Sequence, residues 1–304
     1  MTIPTKENIV NIEGQRSRRH ALALLGSVTG AALTAPVGLA QPMASPQGPA
    51  RVLVTGSSDG LGLEAARQLI ALGDHVILHG RNRKRADDAI AAAPGAVAAV
   101  VGDVSVIAET RALADQVNKI GPCHAVIHNV GIGGRSGSEL TPDGLLPIFA
   151  VNTLAPYILT ALIGEPRRLI YLSSSASRGV RLDPANLTFT HRDSDGWSAY
   201  GASKLQDILL AFAVARRWPG VLSNAMDPGW VPTQMGGAAA PGSVAEGAAT
   251  GVWLAVSNDA PAKVSGRFFF HKREQAPNPE ADDRALQDRL MAECERASGV
   301  RFPG

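Results

Sequence analysis

Cysteine is nearly missing from these 304 residues: Cys123 and Cys294 are the only two. Neither stands in a Cys-x-x-Cys or Cys/His cluster, which argues against a zinc site. Two buried, unpaired thiols are expected, with pairing in an exported protein as the alternative. A surplus of charge of one sign is missing too. The formal net charge is +2, which offers no electrostatic footprint for nucleic acid, so no such partner is expected. Metal-ligand spacing is also lacking. His124 and His128 are four apart on a predicted strand, hence about 13 Å from each other at ~3.3 Å per residue, and cannot share an ion. No metal site is therefore expected, and His191 is read as a surface residue. There is no repeat and no low-complexity block. What is plentiful is apolar: 45% of residues are hydrophobic and 18% charged, enough for a sizeable core.

One long uncharged run stands apart from the rest. Ala21 to Ala40 carries no charged side chain, and Arg16, Arg18 and Arg19 precede it. Gly38 and Ala40 are small residues at the spacing of a cleavage site. "SRRHAL" resembles the twin-arginine export signal, with Ala21 where Phe is common. Residues 1–40 are thus expected to be a signal peptide and 41–50 a Pro/Gly/Ser linker. A periplasmic or otherwise exported protein follows, with no membrane span in the mature chain once the signal is cleaved. The alternatives are an uncleaved anchor or a cytoplasmic protein.

From Arg51 onward, apolar runs of strand length alternate with helical patterns. The runs are 51–56, 75–80, 96–103, 124–129, 168–174, 222–227 and 266–271. Strands this apolar, alternating with helices, imply a parallel sheet covered on both faces. The expected fold is α/β: one Rossmann-type, doubly wound domain over 51–304 with about seven parallel strands. An amphipathic helix is expected over 279–299, packed on this domain or on a subunit.

"TGSSDGLG" lies directly after the first of these strands and opens a helix, the context a dinucleotide turn requires. Gly56 permits the tight turn, Gly60 the close approach of a pyrophosphate, and Gly62 tight helix packing. Ser57 and Ser58 offer hydroxyl donors beside Leu61, and the N–H groups of the first helical turn favour anionic charge. The Gly-x-x-x-Gly-x-Gly spacing resembles the short-chain dehydrogenase/reductase family over about residues 51–270. At the end of the second strand, "HGRNRKR" puts Arg81 where an acidic residue would hold the 2′-hydroxyl of NAD. A guanidinium suits a 2′-phosphate, so NADP is the expected cofactor and NAD the alternative. Arg83, Lys84 and Arg85 follow it, the last two with a solvated surface role as the other reading. The resemblance further implies cofactor contacts at Asp103 and Val104 ("GDV"), and at Asn129 and Gly131 ("HNVG"), where Val130 crowds the turn. It implies others at Pro228, Gly229, Val231 and Thr233 ("DPGWVPT").

"AYGASK" sets Tyr200 and Lys204 four apart, on one helix face at about 5–6 Å between Cβ atoms. A phenol titrates near ~10 and is a poor base at neutral pH. A nearby ammonium stabilises phenolate and lets such a group exchange a proton with a carbonyl or alcohol oxygen. The resemblance implies that Lys204 also holds ribose hydroxyls, and that Ser174 in "LIYLSSSAS" orients the substrate oxygen. The long gap from Ser174 to Tyr200 resembles the retinol-dehydrogenase-like and anthracycline-ketoreductase-like branches. Asn152 completes the set. Pro156 lacks an N–H and clashes with the carbonyl four residues back, so the helix should kink at Asn152 and free that carbonyl.

The sequence therefore points to an NADP(H)-dependent oxidoreductase acting on a small carbonyl compound or secondary alcohol, as a homodimer or homotetramer if the resemblance extends that far. The alternatives are a catalytically silent dinucleotide-binding sensor or scaffold, and an epimerase or dehydratase on the same scaffold. The Gly- and Ala-rich loop 233–247 should cover the site. Asp227 and Trp230 are read either as substrate contacts or as packing.

Overall fold

The computed structural model describes residues 9–11, 48–134, 139–164, 166–189 and 196–303. Most of the expected export segment, linker residues 41–47 and His191 lie outside them. The strands are β1 (Ile9–Asn11), β2 (Arg51–Val54), β3 (His75–Gly80), β4 (Ala98–Val101), β5 (Ala125–His128), β6 (Arg168–Leu172), β7 (Leu222–Asp227), β8 (Phe268–Phe270) and β9 (Arg273–Gln275). The main helices are α1 (Gly60–Ala71), α2 (Arg83–Ala92), α3 (Ile107–Ile120), α4 (Pro147–Phe149), α5 (Ala155–Leu162), α6 (Gly196–Arg217), α7 (Val244–Val256) and α8 (Arg284–Ser298).

Among the described residues, nine strands form one sheet in the order β1-β4-β3-β2-β5-β6-β7-β8-β9. β2 to β8 are mutually parallel, and they are the seven expected strands. The two outer strands, β1 and β9, pair antiparallel and were not anticipated. Successive side chains of a strand face opposite ways, so each strand feeds two cores. Leu53, Val126, Leu169 and Phe268 pack with α3, α5, α6 and α8. Val52, Val54, Ile127, Ile170 and Phe269 pack with α1, α2 and α7. Hence both faces are apolar, as the unbroken hydrophobic runs require.

The strand order reverses at β2, which lies between β3 and β5. In open parallel sheets this switch point opens a crevice at the carboxyl ends of the strands. The C-terminal helix begins later than expected. Pro279–Asp282 is a separate 3₁₀ turn, and Asp283 caps α8 by accepting from the Leu286 N–H. It packs on α6 of its own domain. Both cysteines are buried and unpaired. Among the described residues no helix is long and apolar enough to cross a membrane, and no cluster of three metal-ligating side chains occurs.

Candidate active site

The glycine turn sits at the switch point, between β2 and α1. Gly56 and Gly60 have φ of +63° and +52°, a region that costs other residues strain. A Cβ on Gly56 would lie 2.7 Å from the Val130 side chain, so the valine in "HNVG" fits because residue 56 has none. A Cβ on Gly62 would collide with the Gly56 carbonyl oxygen and lie 2.5 Å from Asn129 Nδ2. Gly62 thus lets the start of α1 lie close against the ends of β2 and β5 and keeps the turn compact. Asp59 precedes α1 without capping it by side chain, which leaves the first-turn N–H groups to an anion. These features fit a dinucleotide pyrophosphate.

Several of the expected contact residues also hold the turn together. Asn129 Nδ2 donates to the carbonyls of Thr55 and Gly56 at 2.8 and 3.2 Å. Thr55 Oγ1 accepts from the N–H groups of Asn129 and Val130. Ser57 is buried, and its Oγ accepts from the His79 N–H at 2.8 Å; Ser58 alone of the two serines is partly exposed. His79, which sequence reasoning passed over, is fully buried in β3. Its Nδ1 accepts from the Gly56 N–H and its Nε2 meets the Gly102 carbonyl, each at 2.9 Å. That pattern requires the neutral ring with its proton on Nε2, and burial holds its pKa below the usual histidine value. The signal was a polar residue deep in an apolar strand.

The basic stretch divides by partner. Arg83 pairs with Asp87 and Lys84 with Asp88, one helical turn on. Arg85 is ion-paired to Asp59 of the glycine turn, so it braces the turn and is not simply solvated. Arg81 is exposed at the end of β3, beyond these pairs. At the end of β4, Asp103 Oδ1 accepts from the Ser105 N–H and hydroxyl, and Val104 is buried.

Tyr200 and Lys204 stand on α6, with Lys204 Nζ 5.9 Å from the Tyr200 ring centroid. Nζ donates to the Leu172 carbonyl at 2.7 Å and to Asp207 Oδ2 at 2.8 Å. Asp207 is a second residue that the sequence reading missed. Ser173 Oγ donates to the Lys204 carbonyl at 2.6 Å and is spent on α6. Ser174 caps the following 3₁₀ turn by accepting from Ala176 N–H, with its hydroxyl only partly buried. Beyond it, residues 177–182 dock on the Asn278–Glu280 turn through hydrogen bonds from Asn278 Nδ2 and from the Leu182 N–H.

Asn152 lies in a π-helical stretch, Ala150–Leu154, that ends two residues before Pro156. The expected disturbance at Asn152 is thus a wider helical turn, a form common at functional sites. Asn152 Oδ1 accepts from the Ile132 N–H at 2.8 Å, while Nδ2 donates to the Ile132 carbonyl and to Ser203 Oγ. It locks the loop after β5 to α6. A Cβ on Gly131 would lie 3.4 Å from Lys204 Nζ. Gly131, Val130 and Gly56 therefore link the Tyr200–Lys204 pair to the glycine turn.

The loop after β7 crosses the same mouth. Gly229 has φ +81°, and its N–H donates to Asp227 Oδ1 at 2.8 Å. Asp227 is thereby accounted for as a turn former. Val231 is buried, and Thr233 lies 3.3 Å from a Cβ placed on Gly60. Met235 packs against Gly133, and the backbones of Gly134 and Gly196 touch. Trp197, stacked edge-on to Tyr200 at 6.0 Å, is exposed, as are Trp230 and Met235. Trp197 therefore sets an apolar surface directly beside Tyr200.

Comparison with known proteins agrees with this geometry. The family described as short chain dehydrogenase matches residues 50–243. The uncharacterized oxidoreductase AN7799 of Emericella nidulans is 44% identical over 259 residues, covering 84% of this chain and 99% of that protein. The short-chain dehydrogenase chry4 of Gibberella zeae is 38% identical over 260 residues, with 84% and 99% covered. A crystal structure of an uncharacterized protein from Mycobacterium paratuberculosis superposes with a TM-score of 0.73 at 25% identity, covering 84% of this chain and 95% of that one.

Proposed function

The chain belongs to the short-chain dehydrogenase family of NAD(P)-dependent oxidoreductases, and from that premise we propose that it is an NADP(H)-dependent reductase of carbonyl compounds, or the reverse dehydrogenase, with Tyr200 as general acid/base. The observation that carries this reading is the continuity from Gly56 through Val130 and Gly131 to Lys204 Nζ and the Tyr200 ring. It supports a proton-exchanging role for Tyr200 beside the place where a nucleotide would lie.

The nucleotide, when bound, supplies the hydride. Ser174 offers a hydroxyl to the substrate oxygen, and Tyr200 gives that oxygen its proton or takes it away. Two of the three Nζ donors of Lys204 are used by Leu172 and Asp207; the third is left for a ribose hydroxyl. Asn152 fixes Ile132 and Ser203, hence the wall between loop and α6. The α1 N–H groups, Ser58, Leu61 and Gly60 would hold the pyrophosphate, and Arg81 would hold the 2′-phosphate. Asp103 and Val104 would hold the adenosine end, and Pro228, Gly229, Val231 and Thr233 the nicotinamide end. The exposed Trp197, Trp230 and Met235 favour an apolar substrate.

The test is NADPH oxidation against a panel of apolar ketones and aldehydes, with Tyr200→Phe alongside. Turnover should fall by roughly 10²–10⁴-fold in the variant while nucleotide binding persists. Unchanged turnover would refute the role given to Tyr200. The reading extends to residues 1–40 as a cleaved twin-arginine signal, whose removal takes the edge strand β1 from the sheet and leaves β4 as its edge, and to the remaining chain as an exported enzyme. Sequencing the mature N-terminus from fractionated cells decides this: a cytosolic protein beginning at Met1 contradicts it.

A further inference from the structure

Asp207 lies one turn beyond Lys204 on α6, and the two side chains are 3% and 6% exposed. Taking an amine out of water favours its neutral form, because the charged form loses its hydration. Burial pulls Lys204 down in this way, yet the charge of Asp207, with smaller help from Tyr200 and from the Asp207 hydrogen bond, outweighs it and holds Lys204 above the ordinary lysine value. Burial in turn raises Asp207 to about 6, with Lys204 pulling the other way. Above that pH the pair is ionic.

No neighbouring group among the described residues substitutes for that carboxylate. The titratable groups facing the pair are Tyr200 on α6, Tyr171 on β6 and, behind it, His128 on β5. Tyr171 OH is bonded to Thr160 Oγ1 at 2.7 Å, and burial pushes its pKa far up. His128 stacks on Tyr171 at 4.7 Å and is pushed down to about 3 by burial. Both are neutral at neutral pH. The remaining partner of Lys204, the Leu172 carbonyl, is a dipole without net charge.

From this juxtaposition we propose that Asp207 is a positioning residue for the proton-transfer pair: its carboxylate keeps Lys204 a cation and fixes it against Leu172, with the third N–H free toward the mouth. The proposal rests on the reading of Tyr200 and Lys204 given above. Removing the anion loosens the hold on the most weakly held proton of the Tyr200–Lys204 unit. That proton is then lost at lower pH, whichever of the two gives it up.

The test uses the full chain as Asp207→Asn, which keeps shape without charge, and Asp207→Glu, which keeps charge. In D207N the alkaline limb of kcat for NADPH-dependent carbonyl reduction should move down by about one pH unit or more. In D207E it should stay within a few tenths of a unit of the parent. NADPH affinity, read by nucleotide fluorescence from neutral to alkaline pH, should weaken earlier in D207N, since a neutral Lys204 holds a ribose hydroxyl less well. A uniform loss of kcat at every pH with an unmoved limb would overturn the proposal. So would a D207N that does not fold beside a folded D207E, because the charge would then serve folding. The binding arm does not involve Tyr200 chemistry. Unchanged turnover in Tyr200→Phe with a shifted binding profile in D207N would therefore defeat the proposed function and leave the Asp207–Lys204 link standing.

Discussion

His79 Nδ1 accepts the backbone N–H of Gly56 at 2.9 Å, while the opposite nitrogen meets the carbonyl of Gly102. One buried ring therefore fixes the glycine turn to the end of β4, across the floor of the nucleotide crevice. In His79→Leu both backbone groups lose their partner. Each buried, unsatisfied group costs about 1–3 kcal/mol. NADPH affinity should fall at least tenfold and the unfolding midpoint in urea should drop. His79→Asn can replace the acceptor toward Gly56 and should retain more affinity than the leucine variant. Fluorescence titration with NADPH compares the two.

Arg81 is the cation at the end of β3 that stands outside the acid pairs of Arg83, Lys84 and Arg85. A charge-assisted hydrogen bond is worth about 1.5–3 kcal/mol. Arg81→Ala should weaken NADPH by about 10- to 100-fold and leave NADH within about twofold. Lys84→Ala should change neither. Equal weakening of both nucleotides in Arg81→Ala would mean that the arginine reads something other than the 2′-phosphate.

Gly62 has no room for a methyl group, with the Gly56 carbonyl and Asn129 Nδ2 in the way. Gly62→Ala must push α1 off the turn, an overpacking cost of about 1–3 kcal/mol. Both nucleotides should bind at least tenfold more weakly. Gly220 has nothing within 4 Å of an added Cβ, so Gly220→Ala should match the parent in stability and binding.

Acid should destabilise the fold through its buried histidines. His128 titrates at about 3 in the folded chain, against about 6.5 when unfolded. Its contribution is therefore complete above about pH 6.5 and is lost as pH falls, at about 1.4 kcal/mol per pH unit. His79 acts in the same direction. Asp207 acts oppositely: its raised value of about 6 means the folded state gains a proton first, so acidification between about 6 and 4 adds stability. Urea unfolding at pH 7 and pH 5 should show a smaller loss in His128→Asn than in the parent. An identical loss would remove His128 as a source of the acid sensitivity.

What the order of residues determined by itself is local and periodic. Seven apolar runs became seven parallel strands, because a strand buried on both faces tolerates little else. The glycine turn was legible because its conformations exclude side chains. Tyr200 and Lys204 were legible because a helix puts residues four apart on one face, and Pro156 announced the altered turn at Asn152 through its missing N–H. Tertiary structure decided which side chains are free to act. Ser57 and Asn129 stand in the expected contact motifs, and the fold also engages their side chains within the turn. His79 and Asp207 carry no motif, and their importance arises because neighbouring strands and α6 shut water away from them. Burial and pairing set whether such a group is charged or neutral, and both depend on elements that meet only after the chain has folded.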